Sequence, residues 1–117
     1  MITELGKELR KIRIDRDERL LDMADRVSKS AAFISAIEVG KKSPPAGFEE
    51  GIIRAYDLSH DAANKLRTSA DRARKAFTIE PNSALGRDTA GLLARHVNEL
   101  SPDEMKDIHD ILSRKRG

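Results

Sequence analysis

The sequence predicts an all-α fold: five short helices up to about residue 75, a helical C-terminal module after them, and room for one short β-strand between. Three observations point there. Apolar residues recur three and four positions apart through most of the chain. Ser or Thr stands ahead of several of these runs, where a helix N-cap belongs. The composition is 38% hydrophobic and 36% charged, with only three Phe and one Tyr, and so is poor in the aromatic residues that strands favour.

The first helix is expected over residues 4–16, capped by Thr3, with Leu5, Leu9 and Ile12 on one face. Residues 15–19 are all charged and read as a solvated turn. A second helix over 20–27 turns Leu20, Met23, Ala24 and Val27 inward. Ser28 and Lys29 interrupt the period, and Ser30 caps a third helix over 30–39 whose inward residues are Phe33, Ile34 and Ile37. Gly40 stops it as the first residue beyond the cap. Lys41, Lys42, Ser43, Pro44 and Pro45 form an exposed loop, because the two prolines cannot donate backbone hydrogen bonds. A fourth helix over 47–56 brings Phe48, Ile52, Ile53 and Tyr56 to the same core. The fifth, over 59–75, offers a thin stripe of Ala62, Ala63, Leu66, Ala70 and Ala73.

Phe77, Thr78 and Ile79 form a β-prone run closed by Pro81, suited to an edge strand or an extended linker. After a turn at 82–86, a sixth helix over 87–99 carries Leu92, Leu93 and Val97, followed by Leu100. Ser101-Pro102-Asp103-Glu104 is the clearest helix start in the chain, with a cap, a tolerant proline and a carboxylate three residues on. The seventh helix, over 102–113, is expected to bury Met105, Ile108, Ile111 and Leu112, and residues 114–117 to form a basic frayed tail. The domain boundary is placed after residue 59, giving an N-terminal domain of 1–59 and a helical region of 60–117.

With no cysteine, disulfides, thiolate zinc sites and a cysteine nucleophile are excluded. The N-terminus lacks the apolar core of a signal peptide, and no stretch has the roughly 18 apolar residues of a membrane span, so a cytoplasmic protein without membrane contact is expected. Charge is balanced over residues 1–60, with 11 basic and 11 acidic side chains, and the remainder supplies the net +2. Any polyanion must therefore be met by locally placed cations.

The informative stretch is 20–40. Two short helices joined by a tight turn can cross so that the second enters a major groove roughly 12 Å wide while the first lies over the backbone. Ala24 supplies the small residue such a crossing needs. Leu5-Gly6 and Arg10-Lys11-Ile12-Arg13, then Met23-Ala24, Phe33-Ile34-Ser35, Ile37-Glu38 and Gly40 before the proline loop, stand at uninterrupted spacing. In these residues the sequence resembles the Xre-type, lambda-repressor-like helix-turn-helix regulators, over residues 5–59.

The resemblance implies a five-helix DNA-binding domain. It implies a structural ion pair between Arg13 and Glu38, groove-facing positions at Ser30, Ala31, Ala32, Ser35 and Ala36, and phosphate contacts from Arg19, Lys41 and Lys42; Lys29 is expected to join Ser30 and Ser35 in contacting bases. Two departures qualify it. Ser28 replaces the family's inter-helix glycine and Lys29 its apolar turn residue. Ala31, Ala32 and Ala36 stand where many relatives carry long polar side chains, and alanine cannot hydrogen-bond a base, so thymine methyl contacts and DNA shape are expected to carry much of the readout. Spacing alone leaves open a plainer reading, in which the alanines form a helix-packing face and the lysines a solvated loop.

An enzyme is not expected, nor a cofactor or metal. His60, His96 and His109 are too scattered for a helical metal motif, and no phosphate loop or nucleophile elbow is present. Relatives of this kind usually bind palindromic operators as dimers, so a homodimer is expected through Leu92, Leu93, Val97, Met105, Ile108 and Leu112, with Phe77 and Ile79 pairing across the two-fold. Packing of these residues back on the N-terminal domain is the alternative. The expected function is a transcriptional repressor acting on its own promoter. The rival from another class is an antitoxin or antiactivator whose C-terminal half grips a toxin or an activator protein.

Overall fold

Hydroxyl caps start five of the helices. The side-chain oxygens of Thr3, Ser30, Ser59, Ser83 and Ser101 accept from the backbone N–H groups of Gly6, Phe33, Ala62, Gly86 and Glu104, at 2.9–3.2 Å. The computed structural model describes residues 1–115. Its helices are α1 (Glu4–Asp15), α2 (Leu20–Arg26), α3 (Ala31–Glu38), α4 (Phe48–Tyr56), α5 (His60–Ala73), α6 (Ala84–His96) and α7 (Pro102–Arg114), with a 3-10 turn at Val97–Glu99. The expected basic tail falls partly in α7, which runs to Arg114; Arg116 and Gly117 lie outside the described residues.

α1 to α4 end alike. At each terminus one residue takes a left-handed backbone, just past the cap in α1 to α3 and at the cap itself in α4: Asp17 (φ 53°), Ser28 (φ 57°), Gly40 (φ 80°) and Asp57 (φ 49°). The N–H of the next residue then reaches back five positions, as in Glu18 to Arg13 O (2.9 Å), Lys29 to Ala24 O (2.9 Å), Lys41 to Ala36 O (2.9 Å) and Leu58 to Ile53 O (3.1 Å). This closing motif satisfies carbonyls that a helix end would otherwise leave unpaired, and it turns the chain sharply toward the next helix.

The short helices thereby stack round one core. Leu5, Leu9, Met23, Ala24, Ile34, Ile37, Ile52, Leu66 and Ala70 are all buried in it. α1 packs on α3 and α5, α2 on α3, and α4 on α5. The boundary expected after residue 59 is therefore displaced. The chain divides into two compact units, Met1–Phe77 and one beginning at Thr78, with α5 inside the first. Its alanine stripe is too thin to build a core of its own and instead fills the space beside α1 and α4. Arg74, just past α5, ties the proline loop down by donating to Pro44 O (3.0 Å), Pro45 O (2.8 Å) and the Glu49 carboxylate.

The second unit departs further from expectation. No strand forms among the described residues; 77–79 carries no regular structure, since a lone strand has no ladder to satisfy its backbone. α6 starts at Ala84 rather than 87, because Ser83 supplies the cap inside what was expected to be a turn. No residue of α6 or α7 is buried. Met105, Ile111 and Leu112, expected in a core, are exposed, and Ile108 is half-buried. Two amphipathic helices of 13 residues each do not enclose an interior by themselves.

Candidate nucleic-acid interface

α3 is held by both its backbone and its last side chain. The Glu38 carbonyl accepts from the Thr3 N–H (2.9 Å) and hydroxyl (3.1 Å), so the end of α3 abuts the start of α1. Gly6 allows that approach, because a Cβ there would collide with the same carbonyl. The Glu38 carboxylate is buried and ion-paired to Arg13, which is also buried and whose guanidinium reaches Met23 Sδ of α2 at 3.5 Å. Arg10 approaches the same carboxylate from the solvent side at 3.8 Å. The pair expected between Arg13 and Glu38 is thus present, and it joins α1, α2 and α3. A buried charge pair held this way fixes orientation more than it adds net stability.

The outward side of α3 carries small residues. Ala32 and Ser35 are exposed, whereas Ala31 and Ala36 are half-buried, Ala31 against the core. The Ala36 carbonyl also accepts from the backbone N–H groups of Lys41 and Lys42 (2.9 and 3.1 Å), folding the loop under the helix end. Ser30 is exposed, but its oxygen is engaged as the cap of α3, which leaves its hydroxyl hydrogen to donate outward. Ser35 has no intramolecular side-chain partner among the described residues. Of the six positions expected to face a groove, Lys29, Ser30, Ala32 and Ser35 are therefore fully open.

Phe33 was expected to point wholly inward and does so only in part. Its ring packs on Phe48 (centroids 6.0 Å apart, tilted 53°), while the ammonium groups of Lys29 and Lys42 lie 5.3 and 5.5 Å from its centroid. A half-buried aromatic thus gathers one cation from before α3 and one from after it. Nothing in the sequence marks this, since the two lysines are 13 positions apart. Arg19 is exposed immediately ahead of α2, where its backbone N–H donates to Asp22 (2.8 Å).

The charged turn at 15–19 is less solvated than expected. Glu18 is half-buried, accepting from Arg26 (2.9 Å) and the Tyr56 hydroxyl (2.7 Å), while Arg26 also donates to Ala55 O (3.1 Å). The hydrogen bonds from Arg26, first, and Tyr56 hold the Glu18 carboxyl below its usual range. Burial, with Glu18 second, raises the Tyr56 phenol well above its ordinary value. This cluster ties the entry of α2 to the end of α4.

Phe77 and Ile79 are exposed, as are Leu92, Met105 and Leu112, while Leu93, Val97 and Ile108 are half-buried. Among the described residues no three His, Cys, Asp or Glu side chains gather as round a metal ion, and no helix is long and apolar enough to cross a membrane. No protein-family model, curated protein or solved structure matches this chain.

Proposed function

We propose that this chain is a sequence-specific double-stranded DNA-binding regulator, with α2 and α3 acting as a lambda-repressor-like helix-turn-helix and α3 as the recognition helix. A palindromic operator bound by a homodimer, and repression of the chain's own promoter, complete the reading. The observation that carries it is the contrast between the two sides of α3. Its inner side is clamped by the Arg13–Glu38 pair and by Thr3, whereas its outer side presents Ala32 and Ser35 with Lys29 and Lys42 beside it. A helix that enters a groove needs a fixed attitude, no bulk on its leading face and cations where phosphates pass. A helix used only for packing would cover that small-residue face.

Direct base readout is confined to Ser35, the hydroxyl hydrogen of Ser30, and Lys29, with Ala32 placed for a thymine methyl. Ser35→Trp should abolish preference for the operator over random duplex while leaving the melting temperature unchanged, because Ser35 is exposed and unpartnered. Fluorescence anisotropy and a thermal melt measure the two. Undiminished preference in that variant would mean another surface touches the bases.

A second reading, in which the chain chiefly binds a toxin or an activator protein, draws support from the uncovered apolar side chains Leu85, Leu92, Ile111 and Leu112, which are 48–76% exposed. The homodimer reading assigns them to a second copy. Sedimentation at tens of micromolar separates the two: a dimer supports self-association, and a monomer rejects it in favour of a different protein partner.

A further inference from the structure

Charge in the first unit is unevenly placed. Residues 1–60 are neutral, but residues 61–75 add five basic side chains against two acidic ones. Two of the five are spoken for: Arg67 forks the Glu50 carboxylate (2.8 and 3.0 Å), and Arg74 holds Glu49 and the proline carbonyls. The other three are exposed and join no ion pair among the described residues: Lys65 lies in the first half of α5, and Arg72 and Lys75 stand at its end.

Those two free cations do not stand alone. With Lys41, Lys42 and Ser43 they line a groove of about 430 Å³ between the start of α1, the loop after α3 and the end of α5. One carboxylate, Glu4, faces the same groove. Arg74 fixes its geometry, because its bonds to Pro44, Pro45 and Glu49 dock the end of α5 against the loop that carries the lysines. The groove is also continuous with the outer edge of α3, since the Lys42 ammonium lies over Phe33.

From this we infer that the groove is a second phosphate-contact site. It grips the backbone of the duplex flanking the base pairs that α3 reads, with Arg72 and Lys75 as the added contacts. The inference rests on the DNA-binding reading above. Four long, solvated cations along an open groove suit a polyanion with closely spaced charges, about one per 1.7 Å of duplex. An acidic protein segment would also want exposed apolar anchors beside the cations, whereas the apolar side chains of this lining, Leu5 and Ile37, are buried in the core and Ala73 is half-buried. The cations come from two separate stretches of chain, which is why sequence reading finds only Lys41 and Lys42.

The test uses the full chain and an operator duplex in a long and a short form, the short one trimmed of its flanking base pairs. Arg72→Gln with Lys75→Gln should weaken binding to the long duplex about tenfold and lower the slope of log affinity against log salt by about 1.8, at roughly 0.9 per lost phosphate contact. Wild type should bind the long form more tightly than the short one, and the double variant should bind both alike. Glu4→Gln should strengthen binding to the long form severalfold. An unchanged salt slope in the double variant, with wild type still binding specifically, overturns the groove proposal alone. A wild type that prefers no duplex overturns the DNA reading as well. If polyglutamate binds wild type more tightly than the long duplex does, and binds the double variant only weakly, the groove belongs to an acidic protein and the proposal fails.

Discussion

Two backbone positions of the first unit both favour glycine, for different reasons. Gly6 lies inside α1, where alanine is ordinarily better by about 1 kcal/mol. Here a Cβ would run into the Glu38 carbonyl and the Ile2 side chain, so Gly6→Ala should destabilise by about 1–3 kcal/mol. Ser28 holds a left-handed φ of 57°, a conformation that costs a residue with a Cβ about 1–2 kcal/mol. Glycine avoids that cost but loses about 0.5–1 kcal/mol through its freer unfolded chain, so Ser28→Gly should stabilise by about 0.5 kcal/mol. Urea denaturation of the two variants checks both signs. At this scale the sequence was legible where a residue type is diagnostic. Gly40 announced its positive φ, and Arg13 with Glu38 could be paired from the resemblance. Thr3 was readable as a cap but not as the group that pins the end of α3, because its partner lies 35 residues away.

Helices in the first unit are set by their ends as much as by their faces. The starts were readable because Ser and Thr caps are explicit; Ser83 was passed over because it stood inside an expected turn. The stops were readable only at Gly40, since Asp17, Ser28 and Asp57 take the same left-handed conformation without a glycine to signal it. The fifth helix has a further consequence at its end. Burial acts to raise the Glu49 carboxyl, but its hydrogen bonds to Arg74 outweigh that and hold it below its ordinary value of 4.5. A carboxyl with a depressed folded-state pKa contributes stability that is present above its unfolded value and lost as pH falls through the folded one. Acid should therefore loosen the joint between the proline loop and α5 below about pH 4.5. Glu49→Gln should lower stability at neutral pH and flatten its fall as the pH drops below about 4.5, as read from denaturant midpoints across pH.

The molecule combines one unit whose core encloses itself with another in which no described residue is more than half-buried. In the first, apolar spacing sufficed to name most of the core, because each helix contributes a few residues at helical period. That the first unit reaches Phe77 is not legible, because a weak alanine stripe does not reveal which core it joins. In the second, the same spacing predicts the helices but not what covers them, because an apolar stripe does not name its partner surface. In the proposed homodimer a second copy would cover them and would set the two copies of α3 about 34 Å apart, one turn of DNA. Affinity would then lean on shape, methyl contacts and a few local cations from each protomer, because α3 has few side chains able to read bases. The most direct test is to select duplexes from a random pool with the full-length chain at about 150 mM salt. Enrichment of a palindrome with half-sites one helical turn apart, and with thymine at the position facing Ala32, is the predicted result; a selected pool no different from its starting sequence would contradict it.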